Sequence, residues 1–107
     1  MFCKRDAEGY REPFPGILMR TLAHGERTLM AEFIMDAGSD LPLHDHPHEQ
    51  TGYLVSGALM LRIGDEAYEV GEGDSWTVPG GVPHSAEVLV DSVAVEVFSP
   101  VREDLLD

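Results

Sequence analysis

Three of the chain's five histidines fall within five residues, in the run His44-Asp45-His46-Pro47-His48-Glu49-Gln50. His44 and His46 stand two apart, so on an extended strand both rings share one face. Imidazole is the commonest metal ligand near neutral pH. A carboxamide, Gln50, follows four residues after His46. A second histidine feature lies about forty residues on, where Pro79-Gly80-Gly81-Val82-Pro83 leads into His84. A strand–turn–strand path can return His84 beside the first pair. His44, His46, His84 and Gln50 then offer three imidazole nitrogens and one amide oxygen. That set suits one divalent ion with a position or two left for substrate or water. Nitrogen and oxygen donors accept zinc, nickel, iron or manganese, and the residues do not choose among them. The plainer alternative is a polar loop whose histidines face water.

The elements that would carry these groups read as strands. Residues 1–16 form a polar lead-in arm ending in Pro13-Phe14-Pro15-Gly16, and residues 17–107 form one domain. Ile17 to Leu22 and Thr28 to Asp36 are the first strands. In the second, Leu29, Ala31, Phe33 and Met35 alternate onto one face. Thr51–Val55, a turn at Ser56-Gly57, Ala58–Ile63, a Gly64-Asp65 hairpin turn and Glu66–Val70 follow. Ser75–Val78 is short, and the prolines after it keep that loop at a rim. His84–Val90, a turn at Asp91-Ser92 and Val93–Phe98 complete the set, with Val101–Leu106 as one helical turn that packs Leu105 and Leu106 back on the body. No stretch keeps helical periodicity over three turns. Eight or nine short strands at regular spacing predict an all-β sandwich or small barrel, and a small barrel can hold one ligand in its mouth.

Composition sets further bounds. A chain of 107 residues supports one core. With 7 Lys+Arg against 20 Asp+Glu the net charge is −13, which repels phosphate backbones and anionic lipid, so neither nucleic acid nor a membrane surface is an expected partner. An anionic small molecule would need local positive charge, from a metal or a sheltered arginine. Cys3 is the single cysteine, so no disulfide can form within the chain. No apolar run approaches the ~20 residues of a membrane-spanning helix, and the first residues lack a signal peptide's hydrophobic stretch. A cytoplasmic protein is expected.

The two histidine features resemble the two motifs of the cupins. The first is Gly38, five residues, His44-x-His46, three residues, Gln50, six residues, Gly57; the second is Gly73, five residues, Pro79-x-Gly81, two residues, His84. The resemblance implies an antiparallel jelly-roll barrel with His44, His46, Gln50 and His84 on a metal. Glutamine stands where the family usually has glutamate, and Val88 where it often has asparagine. Glu49 as the ligand, with Gln50 beside it, stays an alternative, although the motif spacing favours Gln50. His48 does not fit the spacing and is expected at the rim or behind a ligand. An all-neutral donor set leaves the ion's double charge uncompensated, which makes it a stronger Lewis acid.

Within that family, the histidine run and the tail Phe98-Ser99-Pro100-Val101-Arg102-Glu103-Asp104 resemble the small single-domain cupins of pectin degradation. These convert cyclic 4,5-unsaturated uronates to the linear keto form. The resemblance implies active-site roles for Glu96, Phe98 and Arg102, with Glu96 one methylene longer than the aspartate of that group. Alternation agrees, because Glu96 and Phe98 share a face opposite Val93, Val95 and Val97. Arg102 could clamp a substrate carboxylate or merely pair with Glu103 or Asp104. Arg62, Tyr53 and Trp76 are further pocket candidates. A metal-dependent uronate enzyme is therefore expected, and a homodimer, from the fold resemblance. An iron-dependent dioxygenase and a non-catalytic sugar or small-molecule binder are the alternatives.

Overall fold

The computed structural model describes residues 1–106 as an antiparallel jelly roll. Eight strands run β1 (Arg11–Phe14), β2 (Ile17–His24), β3 (Leu29–Met35), β4 (Asp40–His44), β5 (Glu49–Ile63), β6 (Glu66–Gly71), β7 (Ser75–Val78) and β8 (His84–Ser99). A single 3-10 turn, Glu103–Leu105, closes the chain. The end of the N-terminal arm is thus a strand, with β1 paired to β2. No helix among the described residues is long and apolar enough to cross a membrane.

Two long strands organise everything else. The last half of β8 pairs with β3, and its first half with β4. The first half of β5 pairs with β7, and its second half with β6. β5 and β8 also pair with each other from Glu49↔Ser99 to Ile63↔His84. Each long strand therefore belongs to two layers, β1-β2-β3-β8-β5-β7 and β4-β8-β5-β6. The sheet does not close on itself; it folds over along this shared pair.

The fold line lies where the sequence suggests two turns. Ser56-Gly57 and Asp91-Ser92 do not end strands; they bend them. The pairing register slips between Leu54 and Leu59, as a β-bulge does when one extra residue enters a ladder. The slip has a consequence for the core. Inward residues are Gln50, Gly52 and Leu54 before it, and Leu59 and Leu61 after it. Without the extra residue, strict alternation would turn the second half of β5 inside out. Gly57 holds φ at +103°, and a Cβ there would lie 2.0 Å from Ser92 Oγ and 2.6 Å from Ser92 Cα. Ser92 pins the corner, its hydroxyl donating to Val90 O at 2.7 Å and accepting from Ala58 N at 3.1 Å.

One apolar core lines the space between the layers. Leu29, Ala31, Phe33 and Met35 face into it, as their alternation predicts, against Leu59, Leu61, Ala86 and Val88 of the other layer. The same slip sends Arg62 outward and removes it as a pocket candidate, because its parity is opposite to that of Leu61. Tyr53 also points away from the core and is half exposed. Leu105 is buried against the core, and its carbonyl accepts a hydrogen bond from Thr21 Oγ1 at 2.6 Å. That contact docks the C-terminal tail on β2.

Candidate metal centre and adjoining cavity

At one end of the fold, the strand ends bring the histidines together. His44 ends β4 and sits directly opposite His84, which opens β8. Their ring centroids are 4.1 Å apart, and His46 lies 5.0 Å from His84. One ring nitrogen from each of the three falls within 4.8 Å of the others. The loop before His84 fixes His46 from outside. Gly81 N donates to His46 O at 2.8 Å, and a Cβ on Gly80 would lie 2.3 Å from Pro47 O. The glycine pair lets that loop press against the histidine run.

The hydrogen bonds fix which nitrogen each ring offers. His44 Nδ1 meets Pro42 O at 2.7 Å, His46 Nδ1 meets His48 O at 3.0 Å, and His84 Nδ1 meets Val82 O at 2.9 Å. A carbonyl oxygen only accepts, so each Nδ1 carries the proton and each Nε2 is left with a lone pair. The buried His84 Nε2 has no hydrogen-bond partner. His46 Nε2 lies 3.0 Å from Gln50 Oε1, and with Nδ1 protonated these are two acceptors face to face. Burial holds the His84 pKa below its ordinary value, with His44, His46 and Arg102 acting the same way. A neutral imidazole is what a metal requires. Three converging lone pairs, an orphaned buried nitrogen and an acceptor pair fit a divalent cation held by His44, His46 and His84, with Gln50 Oε1 beside them. Glu49 is exposed, turned to the opposite face of β5. His48 contributes its carbonyl, as the partner that orients His46.

A cavity of about 540 Å³ opens from this centre, with Gln50, Glu96, Phe98 and Arg102 on its walls. Gln50 and Glu96 are buried side chains on neighbouring strands, at 6% exposure each. Gln50 Nε2 donates to Glu96 Oε1, and so does Trp76 Nε1, at 3.1 Å. Both donors use the same oxygen. Glu96 Oε2 takes no hydrogen bond among the described residues. Burial pushes the Glu96 pKa up, and the bonds from Gln50 and Trp76 and the charge of Arg102 offset part of that rise. The ring of Phe98 stands edge-on to His46, with centroids 5.8 Å apart. The Arg102 guanidinium lies over the same ring, 4.9 Å from its centroid, in cation–π contact. Arg102 also forms an ion pair with Asp104 at 2.6 Å, while its guanidinium still lines the cavity.

Two of these groups are poorly marked in the sequence. Trp76 is one pocket candidate among several, and Gly52 stands out in no motif. In the sheet Gly52 is opposite both Trp76 and Glu96. A Cβ on Gly52 would lie 2.3–2.4 Å from three atoms of the indole. The missing side chain lets the indole lie flat across β5 and reach Glu96. Gly52→Ala is expected to turn the indole away, at about 1–3 kcal/mol in stability from overpacking. Trp76 is the single tryptophan, so its emission will report the move, and an unchanged spectrum would refute this account of Gly52.

A family model described as a cupin domain matches residues 31–99. The chain is a cupin. Among solved structures, KdgF from a Halomonas species superposes with a TM-score of 0.92 at 30% identity, over 99% of this cupin and 100% of that chain. An RmlC-like cupin of Shewanella frigidimarina also gives 0.92, at 25% identity, over 98% and 95% of the two chains. Oxalate decarboxylase OxdC of Bacillus subtilis is 31% identical over 78 residues, 68% of this cupin. This cupin spans only 20% of that enzyme's length. The relatives agree with the expected superfamily and with closeness to KdgF.

Proposed function

We propose that this cupin is a metal-dependent enzyme that opens a 4,5-unsaturated uronate to its linear keto form. The observation that carries the reading is one cavity shared by three kinds of group. Glu96 presents an unbonded carboxylate oxygen, Arg102 lies over Phe98, and three histidine Nε2 atoms converge beside them. The likeness to KdgF along the whole chain supports it.

His44, His46 and His84 would hold the ion, zinc, nickel, iron or manganese, with Gln50 as a fourth donor. When bound, the ion would supply Lewis-acid polarisation of a substrate oxygen. Arg102 would hold the substrate carboxylate, and it would answer the chain's charge of −13 locally. Glu96 would accept the proton of the anomeric hydroxyl as the C1 carbonyl forms and the bond from C1 to the ring oxygen breaks. The resulting enolate would collapse to the C5 ketone as C4 takes up that proton from Glu96. The proton therefore moves from the hydroxyl to C4, and no water or redox partner is consumed. Trp76 and Gln50 hold the carboxylate of Glu96 in place through its other oxygen. Phe98, buried between His46 and Arg102, would give the site an apolar floor.

The test is the ultraviolet absorbance of unsaturated galacturonate. With metal-loaded protein it should decay well above the spontaneous rate, and decay at the spontaneous rate refutes the reading. Substrate-dependent oxygen uptake by the iron-loaded protein would instead indicate an oxygenase. Tight ligand retention without turnover would indicate a binding module.

A further inference from the structure

Arg102 and Asp104 form the one salt bridge among the described residues, in a chain with 20 acidic side chains. Its geometry is specific. Arg102 Nε donates to Asp104 Oδ1 at 3.2 Å, and Nη2 to Oδ2 at 2.6 Å. Asp104 thus grips the side edge of the guanidinium. A guanidinium has five N–H donors in one plane, so the end edge, between Nη1 and Nη2, is left over. No described residue takes a hydrogen bond from Nη1. The plane itself is fixed twice, by the Phe98 ring below it and by Asp104 at its side.

Asp104 is in turn held from behind. It occupies the 3-10 turn Glu103–Leu105, where Leu105 N donates to Arg102 O at 3.0 Å and the Leu105 side chain is buried. The Leu105–Thr21 bond ties that turn to β2. The turn therefore presents Asp104 to Arg102 from a docked support.

We infer that Asp104 is a positioning residue, which fixes Arg102 so that its end edge receives the planar carboxylate of a ligand in the cavity. This rests on the proposed carboxylate-binding role of Arg102. An opposing effect also acts, since Asp104 places negative charge beside an anion site. The two effects differ in how water treats them. The Asp104 side chain is 59% exposed and that of Arg102 is 19% exposed. Solvent and salt screen the repulsion from an exposed carboxylate, whereas the orientation it imposes is not screened. Orientation prevails.

The experiment measures binding of D-galacturonate, with D-galactose as the uncharged control, by calorimetry on the zinc-loaded protein. The wild type should prefer the acid. Asp104→Asn should weaken galacturonate binding about tenfold, which is about 1.4 kcal/mol, leave galactose unchanged and leave the melting temperature in place. Asp104→Glu, which can still span the side edge, should recover part of the loss. In an Arg102→Lys background, which has no fork, Asp104→Asn should change nothing. Unchanged or tighter galacturonate binding by Asp104→Asn overturns the inference, as does the same loss in the lysine background. Because binding is read without turnover, the outcome separates from the reaction. A wild type that prefers galacturonate but never turns over the unsaturated sugar sinks the proposed activity alone, whereas a wild type with no preference for the acid removes the carboxylate role on which both rest.

Discussion

Glu96→Gln should lower turnover of a 4,5-unsaturated uronate by about 10²- to 10⁴-fold, the usual contribution of a positioned acid or base. The substitution isolates the proton. Glutamine has the same shape, and its single oxygen can keep the bonds from Gln50 Nε2 and Trp76 Nε1, since both converge on one carboxylate oxygen. The amide nitrogen then replaces Oε2 at the cavity wall, where it can donate but cannot take a proton. Folding should not suffer, because burial disfavours the charged form of Glu96 and a neutral amide avoids that cost. The measurements are initial rates by absorbance loss, the melting temperature, and galacturonate affinity. A rate within threefold of wild type, about 0.7 kcal/mol in barrier, would remove Glu96 from the chemistry. A fall in melting temperature parallel to the rate would mean a packing role.

Metal removal should have the other large effect, on stability as well as turnover. An ion that binds only the folded chain adds about 2.7 kcal/mol at a hundredfold excess over its dissociation constant. For a domain of this size each kcal/mol moves the midpoint by about 4–8 °C. Zinc should therefore raise the melting temperature of chelator-treated protein by about 10–20 °C, and excess chelator should reverse the rise. His84→Ala should abolish the zinc-dependent rise while barely changing the metal-free midpoint. In the metal-free protein His84 Nε2 is a buried atom without a partner, a burden of about 1–3 kcal/mol. Deleting the ring relieves that burden, and the relief offsets the packing that the ring provides. A midpoint indifferent to zinc, or a full rise in His84→Ala, would contradict the histidine centre.

The strand pattern and the two histidine motifs are legible because each depends on short-range spacing. Alternation in β3 predicts its buried face residue for residue, and the parity of Glu96 with Phe98 places both inward. What escapes depends on partners distant in sequence. Ser56-Gly57 reads as a turn in isolation, and only Ser92, on another strand, makes it a bulge. Arg62 looks inward when parity is counted without that extra residue. Gly52 carries no local signal, since its role is the space it leaves for Trp76. The tail's residue types allow Arg102 to bind substrate or to pair with an acid; that it pairs with Asp104 rather than Glu103, through Nε and Nη2, depends on the fold of the closing 3-10 turn.

The shared pair β5–β8 has one more consequence, for how the centre can open. Gln50 and Glu96 stand on the two strands that every layer uses, and His84 begins one of them. Gln50 pairs with Val78 and Phe98, and Glu96 with Ala31 and Gly52, so freeing either breaks ladder bonds on both of its sides and approaches the free energy of global unfolding. Arg102 and Asp104 lie outside that ladder, on a tail fastened mainly by Leu105 and its bond to Thr21. Sub-global opening can release this tail while the metal ligands keep their places. The buried Gln50–Glu96 pair and the Arg102–Asp104 edge thus belong to separate cooperative units, and the cavity they line can open through the weaker one alone.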